Sequence, residues 1–124
     1  MVKKRAFISF DYDNDKVLKD FIIGQAKKPD SPFEVIDWSM KEAALQANWE
    51  QEAERRIKNV EVMIVMVGQK TYCASGVLKE VRITRKHNKK IVQIIGYRDG
   101  KYRQVPEAGV LYSWNWDNLK KILS

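Results

Sequence analysis

The chain has 124 residues, of which 44% are hydrophobic, 31% charged and 10% aromatic, the composition of one globular domain spanning 1–124 and not of a disordered chain. No apolar run approaches the roughly 18 residues of a membrane span, the first residues lack a secretory h-region, and the single cysteine, Cys73, has no partner for an internal disulfide, so the expectation is a cytoplasmic protein in a reducing compartment. The formal charge of +7 lies in one segment: residues 79–103 carry Lys79, Arg82, Arg85, Lys86, Lys89, Lys90, Arg98, Lys101 and Arg103 against Glu80 and Asp99, a block that either attracts an anion or forms a solvated helix face.

In chain order, Arg5–Phe10 (RAFISF) is a short apolar and aromatic run that predicts a first strand, closed by Asp11-Tyr12-Asp13-Asn14-Asp15, where several side chains are suited to cap a helix. Val17, Leu18, Phe21 and Ile22 recur at helical spacing, and the stretch Lys27-Lys28-Pro29-Asp30-Ser31-Pro32 ends a first helix of about three turns. Phe33–Ile36 predicts a brief second strand ending at Asp37-Trp38-Ser39. From Ala43 to Lys58, Trp49, Ala53 and Ile57 sit four apart among charged residues, the pattern of an amphipathic second helix.

Val60–Val67 (VEVMIVMV) is almost continuously apolar, as expected of a central strand covered on both faces, and it stops at Gly68. Val77, Leu78, Val81 and Ile83 then predict a third helix, capped by Ser75 and running through His87. Ile91–Ile95 reads as another buried strand, Gly109–Tyr112 as a weak fifth strand, and Trp116, Leu119, Ile122 and Leu123 as a closing helix. Strands alternating with helices, without an obvious hairpin turn, imply right-handed crossovers and a parallel sheet. The predicted class is α/β, a flavodoxin-like, doubly wound sheet of about five parallel strands. Such a fold binds ligands at the carboxyl ends of its strands, which here collect Phe10-Asp11, Asp37-Trp38-Ser39, residues 68–75 and Gly96-Tyr97.

Several chemistries fail on the residues available. The scattered glycines form neither a Walker loop nor a GxGxxG fingerprint, and one cysteine with one histidine (His87) supplies neither a zinc site nor a histidine-based triad at the ligand edge. A phosphorelay receiver shares the fold, but the position for its acceptor aspartate holds Val67-Gly68-Gln69. What remains is a set of carboxylates and aromatics around a crevice, with Glu80 in the second turn of the third helix. One carboxylate beside aromatic surface can hydrogen-bond ribose hydroxyls and stabilise positive charge developing at an anomeric carbon.

Each of these residues also has a bland role. Glu80 can serve as an i,i+4 partner for Lys or Arg on an exposed helix face. Asp11 and Asp13 can be helix caps, Ser39 a turn residue, the tryptophans core or rim packing, and Cys73 an inert, half-buried thiol.

Taken together, the sequence resembles the TIR-like domains of small bacterial and archaeal proteins, including the TIR-like subunit of Thoeris antiphage systems. The resemblance covers nearly the whole chain. It rests on Arg5–Phe10 followed by an aromatic and acidic loop, on Asp37-Trp38-Ser39, and on Val62 to Gly68 followed by Lys70-Thr71. It continues through Ser75-Gly76-Val77-Leu78-Lys79-Glu80-Val81, where the family usually reads Ser-Lys-Trp-Val-x-x-Glu-Ile, then Ile91 to Gly96 and Tyr112-Ser113-Trp114.

The resemblance implies a TIR fold and, for many members, consumption of NAD by a glutamate early in the third helix, which falls on Glu80. It also implies Phe7, Ser9, Phe10 and Asp11 by the adenine or ribose side of a nucleotide pocket, with Asp37, Trp38 and Ser39 beside it. Gly76 departs from the family, which usually carries tryptophan there. The departure implies a wider pocket, an altered product or lost turnover.

The first expectation is therefore NAD bound as substrate, with no prosthetic group, and cleaved to ADP-ribose or a cyclic product in antiphage defence, with self-association completing the site. The second is a non-enzymatic module that pairs with another TIR-like domain or an effector. Nucleic-acid binding ranks last, because the basic segment interleaves no aromatics besides Tyr97 and Tyr102.

Overall fold

The structure is a computed structural model that describes residues 4–35, 49–97, 102, 104–106, 108–113 and 115–123. Its elements are β1 (Lys4–Phe10), α1 (Tyr12–Ala26), β2 (Phe33–Val35), α2 (Trp49–Lys58), β3 (Val62–Val67), a 3-10 turn (Thr71–Cys73), α3 (Ser75–Lys86), β4 (Lys90–Ile95), β5 (Leu111–Ser113) and α4 (Trp116–Leu123). Five strands form one sheet in the order β2-β1-β3-β4-β5, and every neighbouring pair is parallel. The chain thus has the α/β, doubly wound, flavodoxin-like architecture that its alternating pattern predicts.

Strand alternation divides the core into two layers. Ala6 and Ile8 of β1, Val62, Ile64 and Met66 of β3, and Val92 and Ile94 of β4 pack against Leu18, Ile22 and Ala26 of α1 and Leu119 and Leu123 of α4. On the opposite face Phe7, Met63, Val65 and Val67 meet Ala53 and Ile57 of α2, Val77 and Val81 of α3, and Val105 and Ala108 from the connection between β4 and β5. All six residues of β3 are buried, which explains why its sequence is continuously apolar instead of alternating.

Boundaries differ from the sequence reading for local reasons. α1 has 15 residues, about four turns, and its apolar stripe is Leu18, Ile22 and Ala26, while Val17 and Phe21 face outward. β3 starts at Val62 because the preceding residues serve as lead-in: the Val60 N–H donates to the Ile57 carbonyl and the Glu61 N–H to the Arg5 carbonyl. β2 is described to Val35 and α2 from Trp49, so the expected strand end at Ile36 and the expected earlier helix start at Ala43 lie outside the described residues. β5 starts two residues later than expected and ends one later, because the Gly109 φ of +85° belongs to a turn where an added Cβ would lie 2.7 Å from the Ile91 carbonyl oxygen.

α3 corrects one prediction outright. Ser75 is the first residue of the helix, and the cap position is Ala74, which provides no side-chain hydrogen bond. Its C-terminus is a Schellman arrangement, with Asn88 at φ +57°, its N–H on the Arg85 carbonyl and the Lys89 N–H on the Thr84 carbonyl. Among the described residues no helix is long and apolar enough to cross a membrane.

Candidate active site

Ser9 is the last residue of β1 whose side chain points to the α2/α3 face, and register pairs it with Val65 in the centre of β3. Glu80 lies in the second turn of α3. The Ser9 Oγ–H donates to Glu80 Oε1 at 2.7 Å, with Ser9 fully buried and Glu80 only 9% exposed. That burial removes the bland reading of Glu80 as a partner for Lys or Arg on an exposed helix face. A carboxylate taken out of water is costly unless hydrogen bonds or charges compensate it, which makes Glu80 a candidate functional group.

The backbone under Glu80 is fixed as well. One turn later the Thr84 Oγ–H donates to the Glu80 carbonyl oxygen at 2.7 Å, and the same hydroxyl lies 3.4 Å from Met63 Sδ on β3. Thr84 is fully buried. The carboxylate is therefore held from β1 and its helical turn is seated on β3, which places Glu80 beside the carboxyl ends of the two strands that flank the switch in strand order.

Other residues of the predicted site separate. Asp11, 7% exposed, directly follows β1 at the same sheet edge. Phe7 is 1% exposed and belongs to the packed α2/α3 core, where it can only back the site. Phe10 is partly buried against the opposite, α1/α4 layer, because successive residues of a strand point to opposite faces. Asp37, Trp38 and Ser39 lie outside the described residues, as does the side chain of Asp13. Cys73 is exposed, not half-buried, and its Sγ–H donates to the Lys70 carbonyl at 3.3 Å.

Across the edge, the Gly68 N–H is taken by Thr71 Oγ1 at 2.7 Å, which closes the turn after β3. Beyond β4, Tyr97 and Tyr102 stack with ring centroids 6.0 Å apart. Sequence reasoning missed what shapes that connection: Gln93, fully buried within IVQII, donates to the carbonyls of Val105 at 3.2 Å and Gly109 at 2.8 Å and accepts the Val105 N–H at 2.7 Å. Its one signal was a lone amide in an otherwise apolar strand. Among the described residues no three His, Cys, Asp or Glu side chains converge to hold a metal ion.

The cations of α3 line its outer surface, where Lys79, Arg82, Arg85 and Lys86 are exposed. One glutamate of α2 answers them. Glu54 lies 3.6 Å from Lys86 Nζ, 3.9 Å from Lys58 Nζ and 3.4 Å from His87 Nε2. Partial burial pushes the Glu54 carboxyl up, but Lys86, then His87 and Lys58, outweigh it and hold the group below its ordinary value of 4.5. Glu54 also borders a solvent-open depression of about 340 Å³ with Gln51, Arg55, Lys58 and Ile83, a set that shares no residue with the Ser9–Glu80 pair.

No curated protein matches the chain. Residues 7–99, more than half of it, match the family model described as Thoeris protein ThsB, TIR-like domain. The matched span runs from the buried Phe7 of β1 through Ser9, Glu80 and β4, so that with its five-stranded parallel sheet the chain belongs to the TIR-like domain family of the Thoeris protein ThsB.

Proposed function

We propose that this domain binds NAD at the carboxyl ends of β1 and β3 and cleaves the bond between nicotinamide and ribose, as part of antiphage defence. The observation that carries the reading is the buried Glu80 carboxylate, hydrogen-bonded to Ser9 at the ligand edge of a TIR-like fold.

In this reading Glu80 accepts hydrogen bonds from the ribose hydroxyls and its negative charge faces the oxocarbenium-like carbon as nicotinamide departs. Nicotinamide leaves with the electron pair of the broken C–N bond. Water then attacks the same carbon to give ADP-ribose and a proton, or an adenine nitrogen of the same molecule attacks to give a cyclic product and a proton. The low-dielectric setting of a mostly buried carboxylate strengthens its action on that developing charge. Asp11 stands at the same edge for contact with the nucleotide, and Asp37, Trp38 and Ser39 complete the pocket from the resemblance. Self-association raises activity by closing the site with a second copy.

The test is incubation of concentrated protein with NAD, wild type beside Glu80→Gln, with nicotinamide and nucleotide products followed by chromatography and mass spectrometry. Release by wild type and its loss by roughly a hundredfold or more in the variant is the expected result. The product mass separates hydrolysis from cyclisation. Equal release by both proteins overturns the role of Glu80. Absence of release from both favours the second reading, a TIR-type interaction module, which the exposed cationic surface of α3 supports.

A further inference from the structure

We infer that Ser9 is a positioning residue for the Glu80 carboxylate and not a contact for the ligand. The inference rests on the proposed role of Glu80, and it reassigns a residue that the family resemblance places in the nucleotide pocket.

Three observations carry it. Ser9 is fully buried, so its hydroxyl cannot meet a ligand unless β1 shifts. A serine hydroxyl has one proton to donate, and that proton is committed to Glu80 Oε1 at 2.7 Å. The residue itself is fixed, because β1 pairs with β3 from Ala6 through Phe10 in a register that sets Ser9 against Val65. Glu80, in contrast, keeps 9% of its surface exposed, against none for Ser9.

The consequence is a division of labour between neighbouring strands. β1 fixes one carboxylate oxygen through Ser9, while β3 seats the turn beneath it through the Met63–Thr84 contact. Preorganisation of this kind lowers the reorganisation required as charge develops on the substrate, so it acts on the transition state more than on binding. Without the hydroxyl the carboxylate loses the hydrogen bond that holds Oε1 from β1, and a smaller fraction of molecules keep it in the productive orientation.

The experiment is steady-state kinetics of NAD cleavage by wild type, Ser9→Ala, Ser9→Cys and the double variant Ser9→Ala/Glu80→Gln, each checked for folding by its thermal melt. Ser9→Ala should lower kcat by roughly tenfold or more while KM for NAD stays within about twofold, since a hydrogen bond to a charged group is lost without loss of a ligand contact. Ser9→Cys, which retains a weak donor, should fall between the two, and in the Glu80→Gln background Ser9→Ala should cost nothing more. A Ser9→Ala protein with wild-type kcat overturns the inference and leaves the role of Glu80 standing. A loss confined to KM overturns it in favour of direct ligand contact. If the alanine variant does not fold, the cysteine variant is held to the same criteria. A wild-type protein that releases no nicotinamide removes the reading of Glu80, and the positioning role falls with it.

Discussion

The two faces of the sheet are built to different rules. Among the described residues, the layer beneath α1 and α4 buries apolar side chains from its strands and helices, Ile8, Ile64, Met66 and Ile94 among them. The layer beneath α2 and α3 is also apolar in the main, yet it contains Ser9 and Glu80 joined by a hydrogen bond, Thr84 bonded to the Glu80 carbonyl, and Gln93 reaching into the connection to β5. Apolar packing is the cheaper way to fill a core, because every buried polar group must recover its lost hydration through a partner. Of the four such groups on this face, Thr84 and Gln93 bond backbone, and only Ser9 and Glu80 pair side chain with side chain. Among the described residues of this sheet, one face is apolar throughout its buried side chains, and the other also holds the candidate site.

The largest expected effect separates these two jobs at one residue. Glu80→Gln preserves volume and still accepts the Ser9 hydrogen bond, so the variant should melt at the wild-type temperature or above it, while NAD cleavage falls by roughly a hundredfold or more. Calorimetry beside the nicotinamide assay checks both. A variant that loses stability and activity together would make Glu80 a structural residue and erase the distinction between the faces.

The reverse dissociation belongs to the apolar face. Ile64 is fully buried and registers with Ile8 on β1 and Val92 on β4. Ile64→Ala should cost about 2–5 kcal/mol of stability, read by urea denaturation, through lost transfer energy and the cavity left behind. Activity per folded molecule should be unchanged.

Gln93 tests whether polar groups on the site-bearing face also serve structure. Gln93→Leu removes three hydrogen bonds and leaves the Val105 N–H and the Val105 and Gly109 carbonyls to find water, at a cost of about 2–3 kcal/mol. Faster hydrogen exchange should be confined to the connection near Val105 and Gly109, with the α1/α4 layer keeping its protection. Uniformly faster exchange would mean that Gln93 supports the whole sheet.

What the sequence disclosed follows the same division. Periodicity is dictated by burial, so the apolar face, the continuous run of β3 and the order of elements could be read from spacing alone. Glu80 was legible as one of two acids, with Asp99, in a basic segment, but its burial was not, because the helix pattern of α3 does not show that Ser9, 71 positions away, supplies a donor. The split between Phe7 and Phe10 was available in principle from strand alternation and was lost by treating β1 as a block. The Gln93 clamp and the Ala74 cap position of α3 depend on long-range backbone partners and turn geometry, which local spacing does not encode.

The smallest effect concerns the outer surface of the site-bearing face, where α2 and α3 meet. Glu54 keeps 30% of its side chain exposed, and the nearby Lys86, His87 and Lys58 hold its carboxyl below 4.5 despite the opposing effect of burial. A folded value lower than the unfolded one means that the charged group adds stability above the ordinary glutamate range and loses it as pH falls through the lowered value. The melting-temperature gap between wild type and Glu54→Gln should hence be present above the ordinary value of 4.5 and close as pH falls below it. Added salt should narrow the gap at neutral pH, since the cluster is open to solvent. Nicotinamide release should not follow this titration, because Glu54 pairs with Lys58, Lys86 and His87 while the Glu80 carboxylate is held by Ser9. A Glu54→Gln protein whose activity, corrected for folded fraction, falls with its melting temperature would show that packing between α2 and α3 reaches the carboxylate, and would place the border between scaffold and site outside the sheet.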